Sequence, residues 1–482
     1  MTSRVHARHA NFYLDILQHA EKLAMGGSSE AGQVVQFINL EWESIQKAHR
    51  WVGEHFGEGE DIALLCRQFS DQATILQLLQ PPSERIGWLE IGLEAARAVK
   101  DRSSEGRHLG NLGVAYIALG ETHKALEYHQ QALAISREVG DRRAEAQDLG
   151  NLGNAYAALG EHKQAIQYLE QVLPIMRKIG DRHAEGITYN NLGIAYQHLG
   201  QTHKAIELFE QDLAIAQELG NRRSEGQTLT NLGIAYKNLG KLDKAIQCHQ
   251  QVLTIMLEIG DRRGEGWAHS NLGITYHTMG KTEKAFQHFE CELEIVNELM
   301  DRRGEGRLLN NMGLIHAERG ELDKARAYFE RVVEIMRDAG DLQGKSSALN
   351  NLGDVFSVRR ETQKAVECYE EQLFIARQIG DRRGEGNALG NLGVAFNELG
   401  DPRKAIELYE QCVAIIREVG DLKGEGIALR NKALALKALG EREGAINSAV
   451  AALEIYEQIQ DATAEEIKRM LVQWRGETEH VP

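Results

Sequence analysis

Proline is scarce, with 5 residues in 482, two of them adjacent at Pro81 and Pro82. A chain so poor in the residue that breaks helices can run in long continuous helices. Cysteine is as rare, also 5 residues, and no Cys-x-x-Cys pair occurs among Cys66, Cys248, Cys291, Cys368 and Cys412. That pattern speaks against a disulfide-stapled scaffold and for thiols in a reducing compartment. No apolar run reaches the roughly 18 residues of a membrane span, and no secretory leader is visible, so a cytoplasmic protein is expected. Positive charge is in deficit: 55 Lys and Arg against 71 Asp and Glu, a net charge of −16. An acidic chain is a poor match for nucleic acid or an anionic membrane, so neither is expected as a partner.

What the chain has in abundance is repetition. Asn-Leu-Gly-x-Ala-Tyr-x-x-Leu-Gly, or a close variant, recurs from Asn111 at Asn151, Asn191, Asn231, Asn271, Asn311, Asn351 and Asn391. The spacing is 40 residues each time, and a weaker ninth opening stands at Asn431. A fixed period of this size marks a stacked repeat array, one elongated body rather than several globular domains.

Within 111–150, Leu109, Leu112, Gly113, Tyr116 and Leu119 fall on one helical face. Gly120 ends that helix. Ala125, Tyr128, Ala132, Ile135 and Val139 form a second face, closed by Gly140. Asp141 is a good N-cap for the following helix, and Glu145 suits its first turn. One copy therefore reads as two antiparallel helices. Gly113 and Ala125 are small where the helices approach. Cys248, Cys291, Cys368 and Cys412 fall inside second helices, and buried or semi-buried thiols are expected there.

These residues resemble the tetratricopeptide repeat. Leu192, Gly193 and Tyr196 match the first helix of its motif, and Ala205 and Phe209 the second. The usual repeat has about 34 residues; here the second helix is longer and its following Pro is absent. The longer form, with its Gly-Asp-Arg-x-x-Glu-Gly junction, looks like the repeats of Pins-type G-protein regulators and of signalling-ATPase sensor regions. The resemblance implies an all-α fold, a right-handed superhelical solenoid of helix-turn-helix repeats. A Pins-like activity would need G-protein-binding motifs after the array, and none is visible after 431.

Four regions are expected: a helical cap over 1–70, a degenerate repeat over 71–110, eight repeats over 111–430, and a last degenerate repeat with a capping helix over 431–482. Helices are expected over His6–Met25, Ala31–Phe56 and Ile62–Leu79, with a break at Gly26, Gly27, Ser28 and Ser29. Segments around Arg8-His9 and Asn39–Trp42 look like the helical region ahead of repeat sensors in signalling ATPases. Met300 and Arg360 replace helix-ending glycines, and Gly344-Lys345-Ser346 interrupts the junction, so a locally irregular turn is expected over 341–360. The closing helix, Ala464–Trp474, places Ile467, Leu471 and Trp474 on one face as a cap.

Chemistry is hard to find. There is no phosphate-binding Gly-x-x-x-x-Gly-Lys-Ser/Thr, and Gly384-Glu385-Gly386 recurs as a repeat junction after a helix rather than a strand. No four-ligand metal set or nucleophile–base pair can be read. A non-enzyme without cofactor or metal is expected. Binding is the open possibility. If the resemblance holds, the inner wall carries the Asn of Asn-Leu-Gly and its helical neighbours. Candidate peptide-binding residues are Asn191, Gln227, Asn231, Trp267, Asn271, Arg307, Asn310, Asn311, Asn350, Asn351, Asn387 and Asn391. A primary amide offers both donors and an acceptor, so a column of Asn can pair with an extended peptide backbone. The alternative, compatible with it, is that each Asn ties its own helix to the neighbouring one. The expected partner is a protein or extended peptide segment. The alternative is the sensor module of a signal-transduction ATPase, acting as a fragment or in trans. Oligomeric state stays open.

Overall fold

The computed structural model describes residues 2–25, 31–72, 77 and 80–476. Among the described residues all regular structure is helical, as the all-α solenoid reading requires. The chain divides into two compact units, 1–255 and 256–482.

The first unit opens with Thr2–Met25, Ala31–His55, a single 3-10 turn at Phe56–Glu58, and Glu60–Ser70. Leu17, Ile38, Ile45 and Phe69 form their common core with Trp88. His49 stacks on Trp88 with ring centroids 3.7 Å apart. Burial pushes its imidazole down to about 3, so it packs as a neutral ring. The helix expected over 62–79 starts at Glu60 and ends at Ser70. The expected break at 26–29 and most of 73–79 lie outside the described residues. Pro82–Ala98 follows, with Pro at its first turn, where no amide hydrogen is needed.

Helix pairs then repeat: Arg102–Ala118 with Thr122–Val139, Arg142–Ala158 with His162–Ile179, and Arg182–His198 with Thr202–Glu218. Arg222–Asn238 is the next first helix. The second unit continues with Arg262–Thr278 and Thr282–Glu298, Arg302–Glu318 and Leu322–Asp338, Leu342–Val358 and Thr362–Ile379. Arg382–Glu398 with Pro402–Val419, Leu422–Ala438 with Arg442–Gln458, and a final Thr463–Gly476 complete it.

The local rules are legible in the pair from Arg182 to Glu218. Asp181 caps the first helix, its carboxylate accepting from the Ala184 amide at 3.0 Å. Gly200 turns the chain with φ 74°, and the Gln201 amide closes back on the Tyr196 carbonyl at 2.9 Å. Leu192, Ala195, Ala205 and Phe209 are all buried. A Cβ on Gly193 would lie 2.5 Å from the Phe209 ring. The aromatic ring therefore rests directly on the first helix's backbone. This close approach is why the repeat opening needs Gly at that position.

Several expectations are corrected. Leu119 and Val139 are 41% and 46% exposed, because both lie at helix ends; Ala115 and Leu133 fill the core instead. Cys291 is exposed, while Cys66, Cys248, Cys368 and Cys412 are buried. The 341–360 stretch is not irregular. Asp341 caps a regular helix, Leu342–Val358, through the Gly344 amide at 2.8 Å. Arg360 and Met300 simply adopt the left-handed conformation of the glycines they replace, at φ 62° and 51°. Such a residue costs roughly 1 kcal/mol relative to Gly, which the surrounding helices absorb.

The junction motif is an ion-pair device. Glu145, buried at the start of its helix, accepts from Arg137 at 2.9 Å and from Arg142 at 2.6 Å. Burial raises the carboxyl's pKa, but the two guanidinium partners outweigh it and hold it below the usual range. Glu185, Glu385 and Glu425 repeat the Arg contact from the preceding helix at 2.8, 2.8 and 2.6 Å. Arg182 also reaches Glu218 at the end of its own pair, at 2.7 Å. At 341–345 the charges change. Leu342 replaces the first Arg, and Lys345 replaces the Glu and pairs with Glu371 at 2.6 Å. At the C-terminal end, Trp474 is buried in a cluster with Ala449, Tyr456, Ile467 and Leu471.

Candidate binding face of the first helices

Each first helix buries two faces and leaves one stripe open. In Arg222–Asn238 the open stripe runs through Arg223, Gln227, Thr230, Asn231 and Ile234. Gln227, Arg307 and Asn387 are exposed, and Trp267 is 55% exposed, so that ring is not packed away against a neighbouring helix. Asn191, Asn231, Asn271, Asn310, Asn311, Asn350, Asn351 and Asn391 are all half-buried along the same stripe. The expected residues thus share one face within each unit.

The amides do not stand free. Asn231 donates to the Asn190 side-chain oxygen at 2.8 Å, and Asn191 to that of Asn154 at 3.1 Å. In the second unit Asn351 donates to Asn310 at 2.8 Å and Asn391 to Asn350 at 3.1 Å. Asn350 in turn donates to Asp354 at 3.2 Å. The Asn of one repeat braces the first helix of the preceding one. A single such bond uses one of an amide's two N–H groups and leaves its carbonyl oxygen. The bracing therefore leaves hydrogen-bonding capacity toward solvent.

Between successive first helices the stripe dips into pockets. One of about 360 Å³ lies over Gly106, Gly110, Ile135, Ser136, Val139 and Asp148. A second of about 360 Å³ is lined by Ser346, Asn350, Asn351, Gln372, Arg383 and Asn387. A third site of the same kind, at Gly186, Asp212 and Ile215, is nearly closed at about 10 Å³.

Each pocket has a buried polar oxygen at its base. Asp148 accepts from Ser136 at 2.9 Å, and burial pushes its carboxyl up to about 7. Asp212 accepts from Thr228, and burial raises its pKa too. Gln372 is buried, and its carbonyl oxygen has no hydrogen-bond partner. Glu292 is likewise buried, is pushed up to about 7 by desolvation, and leaves Oε2 unpaired. None of these four was singled out from sequence. Reading down the repeat column Ala132, Val172, Asp212, Val252, Glu292, Val332, Gln372 would have exposed three of them, as polar residues interrupting an apolar position.

Among the described residues no group of three or more His, Cys, Asp or Glu could hold a metal ion, and no helix is long and apolar enough to cross a membrane.

A family model described as tetratricopeptide repeat matches residues 104–178, 149–218, 184–258, 224–298, 304–378, 345–418 and 385–458. A comparison with curated protein sequences gives no match. Among solved structures, the chain is similar to a STAND protein with a tetratricopeptide repeat sensor from Pyrococcus horikoshii. That likeness has 15% identity and a TM-score of 0.53, and covers 94% of this chain and 74% of that one. It is also similar to the apo form of the quorum sensor NprR from B. thuringiensis. There the identity is 14% and the TM-score 0.50, over 75% of this chain and 97% of that one. At these identities the likeness speaks to fold alone.

Proposed function

This chain belongs to the tetratricopeptide repeat family, and from that premise we propose that it is a non-catalytic scaffold holding an extended protein segment along its first helices. The observation that carries the reading is the braced amide column. In Asn231–Asn190 of the first unit and in Asn351–Asn310 and Asn391–Asn350 of the second, the donating amide keeps a second N–H and its own carbonyl oxygen outside the brace, on the open stripe of its unit. Fixed, sequence-indifferent amides suit a ligand backbone. The variable exposed residues beside them, Gln227, Trp267, Arg307 and Asn387, would then set preference. Trp and Arg are the side chains that most often anchor interfaces.

The test is peptide selection from a display library on the whole chain, followed by affinity measurements with variants. Asn351→Ala and Asn391→Ala should each weaken a selected peptide by about 0.5–1.5 kcal/mol. Trp267→Ala should cost peptides bound near it on the order of 2 kcal/mol. If the Asn changes lower the melting temperature and leave affinity untouched, the column is bracing only and the ligand reading fails.

A second reading is a sensor module acting with a signalling ATPase. The fold likeness to the STAND protein extends over 94% of the chain, beyond the part that the family model matches. Affinity capture from the source cell with mass spectrometry tests it. A recurrent nucleotide-hydrolysing partner supports this reading, and its absence from repeated captures removes it.

A further inference from the structure

The cavity over residues 103–151 has an unusual electrostatic build. Its base is Asp148, which is 7% exposed. Oδ2 of this carboxylate accepts from Ser136 at 2.9 Å. Oδ1 lies 3.4 Å from where a Cβ on Gly110 would stand, on the pocket side of that bare backbone. Ile135 and Val139 give the slot an aliphatic side, and Ser103, Asn111, Gln147 and Asn151 line the rest.

Three residues set this cavity apart from the same position in other repeats. Gly110 stands where four later repeats carry Asn190, Asn310, Asn350 or Thr230. Ser136 stands where Met176, Met256 and Met336 fill the space. Asp148 stands where the second unit has Ala268, Leu308, Ala348 and Ala388. Two small residues line the slot, and the third puts an acid at its end.

Two arginines at the rim do not reverse this polarity. Arg143 is engaged with Asp181 at 2.8 Å, and Arg107 with Ser104 at 2.7 Å. Both side chains are more than half exposed, so solvent screens them. Asp141 adds negative charge at the rim, its Oδ1 already capping the next helix. The floor charge is desolvated and so acts at a lower effective dielectric.

We propose that this cavity is a subsite for a lysine side chain of the bound segment, with the ammonium on Asp148 Oδ1 and the methylenes between Ile135 and Val139. An apolar stem with a charged tip fits a slot with Ile135 and Val139 at its side and a carboxylate at its end. A raised carboxyl pKa is what an acid awaiting its counter-ion displays. The assignment rests on the reading of the first-helix face as a ligand groove and names one preference within it.

The probes are N-acetyl-lysine amide, N-acetyl-norleucine amide and N-acetyl-glutamate amide, titrated into the full chain by NMR. The lysine compound should bind at least about tenfold more tightly than norleucine, a difference of about 1.4 kcal/mol, and glutamate should not compete. Asp148→Asn keeps the Ser136 contact and should erase the lysine preference. Gly110→Leu fills the slot and should abolish binding while Asp148 stays in place. Melting curves confirm that both variants fold. Equal binding of lysine and norleucine, tighter binding of glutamate, no lysine binding, or a preference that survives Asp148→Asn would overturn the assignment. Display-selected peptides that bind through the Asn column while the lysine preference is absent would defeat the subsite and leave the groove reading standing.

Discussion

The pockets over 103–151 and 343–387 occupy the same place in the repeat and differ in chemistry. The first ends in the Asp148 carboxylate, contributed by the following first helix. The second ends in the Gln372 carboxamide, contributed by the second helix of the same pair. Both carry Ser and Asn, but only the first adds aliphatic side chains, Ile135 and Val139. The repeat geometry decides where a pocket can open, and the columns that vary between repeats decide what it can hold. A solenoid can in this way carry unlike subsites on one frame without altering the frame.

The frame itself is the first thing to break. Gly113 and Gly353 lie under the rings of His129 and Tyr369, where a Cβ would stand 2.4 and 2.5 Å from ring atoms. Gly113→Val and Gly353→Val should each lower stability in urea by about 2–3 kcal/mol. If one is tolerated and the other not, the two pockets do not share a frame.

Next in size is the pH behaviour that separates the floors. Asp148 titrates near 7 in the folded chain because burial disfavours its charge. Its raised value makes the native state the stronger proton binder, so its contribution is fully present below the unfolded pKa of about 3.9 and lost as pH rises toward 7. Asp148→Asn should therefore stabilise by on the order of 1–3 kcal/mol at pH 8 and by little at pH 4. Gln372→Glu should do the reverse at the other pocket, lowering stability at pH 8 far more than at pH 4. Denaturation midpoints at the two pH values decide, and a pH-independent Gln372→Glu would mean that its floor is open to water.

The junctions beside the pockets give a smaller contrast. Glu145→Gln removes the partner of Arg137 and Arg142, both about half exposed, and should cost about 1–2 kcal/mol. Lys345→Glu places a second acid beside Glu371 where Leu342 offers no guanidinium, and should cost a similar amount. Restoring Arg at 342 in that background should recover part of the loss. Failure to recover would show that the reversed junction does not follow the same pairing rule.

The smallest effect concerns the floor column itself. Cys412 occupies the same column as Gln372, is buried, and is pushed up to about 11 by desolvation. Its thiol donates to the Gly386 carbonyl at 3.2 Å. Iodoacetamide should label the exposed Cys291 rapidly and leave Cys412 untouched in the folded chain, with no change in stability. Fast labelling of Cys412 would reveal a pocket at that junction too.

The Asn positions and their exposed neighbours were legible from the repeat register, because a 40-residue period assigns each residue the same helical face every time. Their bonding was not. Whether Asn231 meets a ligand or Asn190 depends on how far apart two first helices stand, which no single helix encodes. The buried acids escaped notice for a related reason. Asp148 and Glu292 look like any charged residue on an amphipathic helix until a neighbouring pair covers them. Met300 and Arg360 misled in the other direction. A missing glycine reads as a missing turn, but the packed helices on either side impose the left-handed conformation regardless.

The sequence by itself determined the helix pairs, their caps, the glycine and alanine contacts, and the family, because each follows from local spacing repeated without drift. Only the tertiary structure decided which polar side chains are desolvated, which amides brace one another, and where the stripe opens into a cavity. Those depend on three helices meeting, and a small residue on one, Gly110, matters only because Ser136 and Asp148 come from the other two.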